Sequence, residues 1–233
     1  MQKWKTKNGY EIFRVSAGRS HVFLISTGKG NLLVDTGWKS SFTNLRRNIG
    51  LLQLSQPISY LILTHTHFDH CYNAAEIRHL ENCKIVISEH DAAFTRIGYT
   101  TIPGGTLAIT RALSSIGKAL GRRWFGYPPF NPDRIIGEDL DLSSEGYAVK
   151  IISTPGHTKG SVTILIDHEI AIVGDTLIGL FRNSVFPPFA DDQKEMIRSW
   201  GKLLETECCL FLPGHGREIT RKLLEKEYDK YSG

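Results

Sequence analysis

Apolar residues in the first third of the chain fall into short blocks separated by glycine-bearing turns. Tyr10–Ser16, His21–Ser26 and Asn31–Asp35 read as three strands, the first with clear apolar–polar alternation. Ala17-Gly18 and Gly28-Lys29-Gly30 mark the turns between them. Trp38–Ile49 has helical periodicity and is closed by Gly50. Ser59–Leu63 is a short, nearly unbroken apolar run, the pattern of a strand buried on both faces. Cys71–Leu80 returns to helical spacing through Ala74, Ala75, Ile77 and Leu80. Lys84–Ile87 reads as a strand and Glu89–Phe94 as a short helix.

Residues 96–132 break this rhythm. The stretch is rich in glycine and proline, with a possible helix over Leu107–Leu120, and reads as an insertion within one domain spanning 1–233. Arg111, Lys118, Arg122 and Arg123 sit there beside Trp124, Phe125, Tyr127 and Phe130. Such a mixture suits an anionic substrate or nucleic acid. It equally suits a lid with a solvated basic face and an apolar side packed on the domain, the reading preferred here. The aromatic, proline-bearing Phe181–Phe189 is a second candidate for the same mouth, or a surface loop packing its own aromatics.

Strands follow near Tyr147–Ile152, Ser161–Ile166 and Ile170–Val173, then a helix at Asp192–Leu204. A strand at Cys209–Leu212 and a helix at Ile219–Tyr228 complete the pattern. Strands alternate with helices in both halves, which argues for an α/β sandwich with helices covering sheets. LLVDTG at 32–37 and AIVGDT at 171–176 form a weak internal echo compatible with two similar halves.

Composition narrows the function classes. The chain has 233 residues, 41% hydrophobic and 22% charged, with a net charge of +4, an ordinary globular balance. No apolar run approaches the ~20 residues of a membrane span, so no membrane partner is expected. The mild basic charge does not by itself call for nucleic acid. The basic N-terminus has no apolar stretch behind it, so no export signal is expected and a cytoplasmic location follows. The four cysteines form no CxxC pair and are expected to be free thiols.

The chemistry concentrates at residues 61–70, LILTHTHFDH. Here an apolar run meets His65, His67, Asp69 and His70 within six positions. Polar clusters at the carboxyl ends of strands are where α/β folds bind ligands. Imidazole with carboxylate suits zinc, iron or manganese. Histidines two apart in an extended segment point the same way and can share one metal. Three later strand ends repeat the theme: His157 in STPGH, Asp175 in GDT and His215 in LPGHG. Glycine lets backbone approach such a crowded centre without a Cβ clash. His79, His90 and His168 read as surface or structural histidines, and His21 as core or edge packing. Cys71 reads as a small residue at a helix start.

THTHFDH, TPGHTKGS, GDT and PGHG, in this order and with Asp35 of VDTG ahead of them, resemble the metallo-β-lactamase superfamily, with a glyoxalase II-like ligand set. The resemblance runs from about Tyr10 to the C-terminal helix. It implies a four-layer αβ/βα sandwich with a two-metal site between the sheets. It implies that His65, His67 and His157 hold one metal, that Asp69, His70 and His215 hold the other, and that Asp175 bridges them. It implies that Asp35 stands behind the ligands and orients them. Two divalent ions, zinc first with iron or manganese also fitting, would ready a bridging hydroxide for attack on an ester, thioester, lactone or phosphoester. Asp69 and Asp175 are the residues expected to act in that chemistry, Asp69 as proton acceptor as well as ligand. A small-molecule substrate is expected, and the residues that bind it are not legible.

Departures from individual branches narrow the choice. True metallo-β-lactamases usually lack an aspartate at the position of Asp175 and are exported, which disfavours β-lactam hydrolysis. Only eighteen residues follow His215, too few for the glutathione-binding helices of glyoxalase II. Ile178 stands where lactone-cleaving members carry tyrosine. Two rivals of other classes remain: a mononuclear-iron persulfide dioxygenase, and a non-catalytic regulatory or binding protein that keeps the fold.

Overall fold

The computed structural model describes the whole chain, Met1–Gly233. The first sheet has seven strands in chain order: β1 (Gln2–Lys5), β2 (Glu11–Ala17), β3 (His21–Ser26), β4 (Asn31–Val34), β5 (Ile58–Ile62), β6 (Lys84–Ser88) and β7 (Arg134–Ile136). Its first four strands pair antiparallel and β4 to β7 pair parallel. The second sheet has six strands: β8 (Leu140–Asp141), β9 (Val149–Ser153), β10 (Val162–Ile166), β11 (Ile170–Gly174), β12 (Leu210–Pro213) and β13 (Ile219–Thr220). Only β11 and β12 pair parallel there. Seven helices accompany them: α1 (Phe42–Leu51), α2 (Phe68–Cys71), α3 (Ala74–Glu81), α4 (Ala92–Ile97), α5 (Ala108–Phe125), α6 (Gln193–Leu204) and α7 (Arg221–Tyr231).

The strand periodicity of two sorts side chains into layers. Phe23, Ile25, Leu32, Val34 and Ile62 face Ile151, Ile164, Ile166 and Ile172, forming the central core between the sheets. Their neighbours Val22, Leu24, Leu33, Leu61 and Leu63 face the other way, against Leu45 and Ile49 of α1 and Ala74 and Ile77 of α3. On the far side, Ala171, Val173 and Phe211 meet Met196, Trp200 and Leu203 of α6 and Leu224 of α7. Burial on both faces is why these strands read as unbroken apolar runs. The result is the four-layer helix–sheet–sheet–helix sandwich expected from sequence.

Element boundaries differ from the sequence reading where local chemistry overrides periodicity. The helix expected over Cys71–Leu80 is two: α2 begins inside the polar motif at Phe68, and α3 follows at Ala74. α1 starts later, after a 3-10 turn at Lys39–Ser41, and runs through Gly50. Its exit is made by Gln53 in a left-handed conformation rather than by Gly50. Ile219–Thr220 pairs as a strand, and the Thr220 hydroxyl then accepts from the Leu223 amide to start α7.

The ends of five strands set up the site. Asp35 follows β4, His65 to His70 follow β5, His157 follows β9, Asp175 follows β11 and His215 follows β12. All five segments emerge at carboxyl ends of strands, on one rim of the two sheets.

Candidate metal centre

Asp35 anchors the centre from behind. Its φ is +62°, a left-handed conformation that a non-glycine residue rarely adopts. Such strain costs about 1–3 kcal/mol and persists when surrounding bonds over-determine it. Here the carboxylate accepts from the Thr64 amide at 2.8 Å, the Thr64 hydroxyl at 2.8 Å and His70 Nδ1 at 2.8 Å. A carboxylate only accepts, so His70 must carry its proton on Nδ1. Nε2 then points into the site, 3.3 Å from His215 Nε2 and 3.4 Å from Asp175 Oδ1, where its lone pair becomes available once a metal displaces its proton.

The other side chains converge from separate strands. His67 Nδ1 lies 3.1 Å from His157 Nε2, and His157 Nε2 lies 3.6 Å from Asp175 Oδ2. His157 is fixed from outside by donating Nδ1–H to the Phe189 carbonyl at 2.9 Å. His215 Nε2 stands 3.5 Å from Asp69 Oδ2 and 3.4 Å from Asp175 Oδ2. Three groups of ligand-type atoms result, each within 4.8 Å: His65 with His67 and His157, His65 with His70 and Asp175, and Asp69 with His70 and His215. The structure thus brings together all seven side chains singled out in the sequence, with Asp175 between the two halves.

Electrostatics differ across the cluster. Burial, then repulsion from neighbouring imidazoles, holds His65 well below the usual histidine range. Burial and His157 do the same to His67, and burial lowers His157. These three are therefore neutral lone-pair donors. On the other side, burial opposes charge on His70, but Asp175 and Asp35 hold its pKa well above the usual value. Burial also opposes charge on Asp175, yet His215 and His70 keep it well below the usual carboxylate range.

The donor set fits divalent metal. In the whole chain only five buried side-chain polar atoms lack a hydrogen-bond partner, and three are His65 Nε2, His67 Nε2 and Asp175 Oδ1. An orphaned buried polar atom costs about 1–3 kcal/mol, so three in one cluster mark atoms shaped for a ligand. Imidazole nitrogens with carboxylate oxygens are the ligands of zinc, iron and manganese.

Glycine keeps this centre open. A Cβ on Gly214 would stand 2.6 Å from Asp175 Oδ1 and 2.6 Å from the His70 ring. Gly214→Ala is therefore expected to lower metal affinity at least tenfold by displacing two ligand-type side chains, with little change in secondary structure. Metal competition with a chromophoric chelator and far-UV circular dichroism check it. Unchanged affinity would remove the steric role.

Beneath the motif lies a buried polar network. Thr66, between His65 and His67, bonds through its hydroxyl to Thr100 at 2.8 Å, and Thr100 bonds to the Tyr127 hydroxyl at 2.9 Å. Asp91 is buried beside Thr66 and packs on Gly160 so closely that a Cβ there would overlap its carboxylate. Burial pushes its carboxyl up to about 6 from 3.8. Below pH ~4 the proton is present folded and unfolded; above ~6 it is lost from both, and the fold holds a buried charge. This group therefore costs the fold about 3 kcal/mol as pH rises across that window. Asp91→Asn should match the parent in urea unfolding near pH 4 and exceed it by about that amount at pH 7. Equal stabilities at both pH values would contradict this.

His21 is a core histidine, donating Nδ1–H to the Pro213 carbonyl at 3.1 Å, and burial pushes its pKa down to about 4. His79, His90 and His168 are exposed and belong to none of the ligand groups. The Cys71 thiol is buried and donates to the Thr66 carbonyl at 3.3 Å; burial raises its pKa well above the usual range, keeping it protonated. Sequence reasoning missed Thr64, the Phe189 carbonyl and Asp91. Backbone acceptors carry no residue signature, and Asp91 has no local motif to mark it.

Comparison with known proteins establishes the family. The family described as the metallo-beta-lactamase superfamily matches residues 15–215, and the chain belongs to it. The chain is 24% identical over 215 residues to the metallo-beta-lactamase fold-containing protein ST1585 of Sulfurisphaera tokodaii, covering 88% of this chain and 76% of that protein. The crystal structure of ST1585 superposes with a TM-score of 0.67 at 21% identity, covering 95% of this chain and 86% of that one. A probable metallo-hydrolase of Methanocaldococcus jannaschii, MJ0888, is 29% identical over 159 residues, covering 68% of this chain and 67% of that protein. The atrochrysone carboxyl ACP thioesterase of Aspergillus fumigatus is 24% identical over 219 residues, covering 91% of this chain but 56% of that enzyme.

Proposed function

We propose that this chain is a dinuclear metal-dependent hydrolase of small ester, thioester, lactone or phosphoester substrates. The observation that carries the reading is the convergence of seven ligand-type side chains around three orphaned buried polar atoms. His65, His67 and His157 would hold one metal, Asp69, His70 and His215 the other, and Asp175 both. Bound divalent ions would supply a water acidified toward neutral pH and positive charge for the developing oxyanion.

The chain's own residues set the rest. Asp35 locks the His70 tautomer, and the Phe189 carbonyl locks that of His157. Asp69 is less buried than Asp175 and lies beside His215, which supports a role in taking a proton from water and passing it to the leaving group. The resemblance to a thioesterase puts thioesters first in the substrate panel.

Zinc-, manganese- and iron-loaded protein should be tested on esters, thioesters, lactones and phosphodiesters, with oxygen uptake on a glutathione persulfide alongside. Hydrolysis lost on chelation and restored by metal is expected. One iron with oxygen consumption would replace the hydrolase by a dioxygenase. Full metal loading without turnover on any substrate would favour a non-catalytic role.

A further inference from the structure

α5 is built inside out. Its inward face carries the small residues Thr110, Ser114 and Gly117, which are buried. Its large apolar side chains, Ile109, Leu113, Ile116, Leu120 and, past a break at Gly121, Trp124, are 41–68% exposed. The spacing of Ile109, Leu113, Ile116 and Leu120 makes one stripe along the helix, with Trp124 exposed beyond the break. Of the aromatics after the helix, Tyr127 and Phe130 pack on the domain as expected from sequence, whereas the stripe of α5 itself faces outward. The patch extends beyond the helix, because Leu107 and Phe181 line one cavity of about 280 Å³, and Leu180 and Phe181 are themselves exposed. A contiguous apolar surface of this kind marks a docking site.

Charge says what docks. Residues 92–132 contain no aspartate or glutamate, in a chain that has 24, but carry Arg96, Arg111, Lys118, Arg122 and Arg123. Residues 176–190 also lack acids and carry Arg182. A second copy laid helix to helix on this face would oppose cation to cation, since neither segment carries an acid. An anionic lipid surface meets both features at once. Leucine, isoleucine and tryptophan enter the acyl boundary while lysine and arginine meet the headgroups.

We propose that α5, with Leu180 and Phe181, docks on an anionic lipid bilayer, the helix lying in the headgroup plane. No helix of the chain is long and apolar enough to cross a membrane, and an in-plane helix needs no such span. The sequence-based expectation of no membrane partner rested on the missing span alone. Both ends of α5 are tied to the metal centre's rim. Phe125 packs on Phe68, next to Asp69, with ring centroids 5.0 Å apart. Gly105 pairs with Phe189, whose carbonyl holds His157.

The test uses the full chain with phosphatidylcholine vesicles, either pure or with about 30% phosphatidylglycerol, read by co-sedimentation. The chain should pellet with the anionic vesicles, release at about 0.5 M salt, and stay largely in solution with neutral ones. Arg122→Gln with Arg123→Gln should weaken partitioning about 30-fold. Leu113→Ser with Ile116→Ser should weaken it at least about tenfold, with circular dichroism and thermal unfolding unchanged because both side chains are solvent-facing. Failure to pellet with anionic vesicles, undiminished binding by both pairs of variants, or a stable dimer that the serine pair dissolves would overturn the proposal. No substrate enters this measurement, so its failure leaves the hydrolase reading standing.

Discussion

Asp175→Ala is expected to strip the centre of metal and abolish turnover together. Asp175 is the only side chain whose two oxygens reach toward both halves: Oδ1 lies 3.4 Å from His70 Nε2, and Oδ2 lies 3.6 Å from His157 Nε2 and 3.4 Å from His215 Nε2. On the proposed dinuclear reading, alanine would remove the one carboxylate that both metals share. A partner behind the ligands is worth about 10–100-fold in affinity or activity, so loss of a bridging ligand should exceed 100-fold. The fold should survive, because the residue ends a strand whose apolar neighbours Val173 and Leu177 stay buried. Elemental analysis and thioester hydrolysis, measured on the same reconstituted preparation, check it. Two metals with normal turnover would refute the bridging role.

Asp35→Asn should lower affinity for the metal at His70 by about 10–100-fold without unfolding the chain. Asparagine tolerates the left-handed φ of +62° at this position, so the backbone can stay in place. What changes is the acceptor count. The two carboxylate oxygens take bonds from Thr64 and from His70; an amide offers one oxygen, and its NH2 faces one of those donors. The His70 tautomer is then no longer held with its Nε2 lone pair inward. Metal competition with circular dichroism as a fold check reads the effect, and unchanged affinity would show that Asp35 orients nothing. Asp35→Ala would add backbone strain to the same loss.

The fold class was legible because buried strands such as β3 and β5 are written as apolar runs, and each run that serves the site ends on a polar cluster. The converging residues were legible because metal-ligand types recur at those ends, and His65, His67 and His70 sit within one loop. The short strands β1, β7, β8 and β13 were not, since two to four half-exposed residues at or near sheet edges carry no periodicity. The start of α2 was hidden by the polarity of Phe68-Asp69-His70, a turn whose side chains belong to the site. The orientation of α5 could not be read either. Its period defines two faces, but the sequence does not say that Gly117 comes close enough to Ile102 to turn the small-residue face inward. Neighbours such as Asp91, beside Thr66, follow a different strand, β6, and share no local motif with the site.

Metal stoichiometry of the purified chain, reconstituted with zinc and measured by elemental analysis against protein concentration, addresses the centre itself most directly. Two ions per chain, both removed by chelation, are expected from the His65–His67–His157 and Asp69–His70–His215 groups sharing Asp175. A single ion per chain at saturation, or none, would contradict the dinuclear centre on which the proposed chemistry rests.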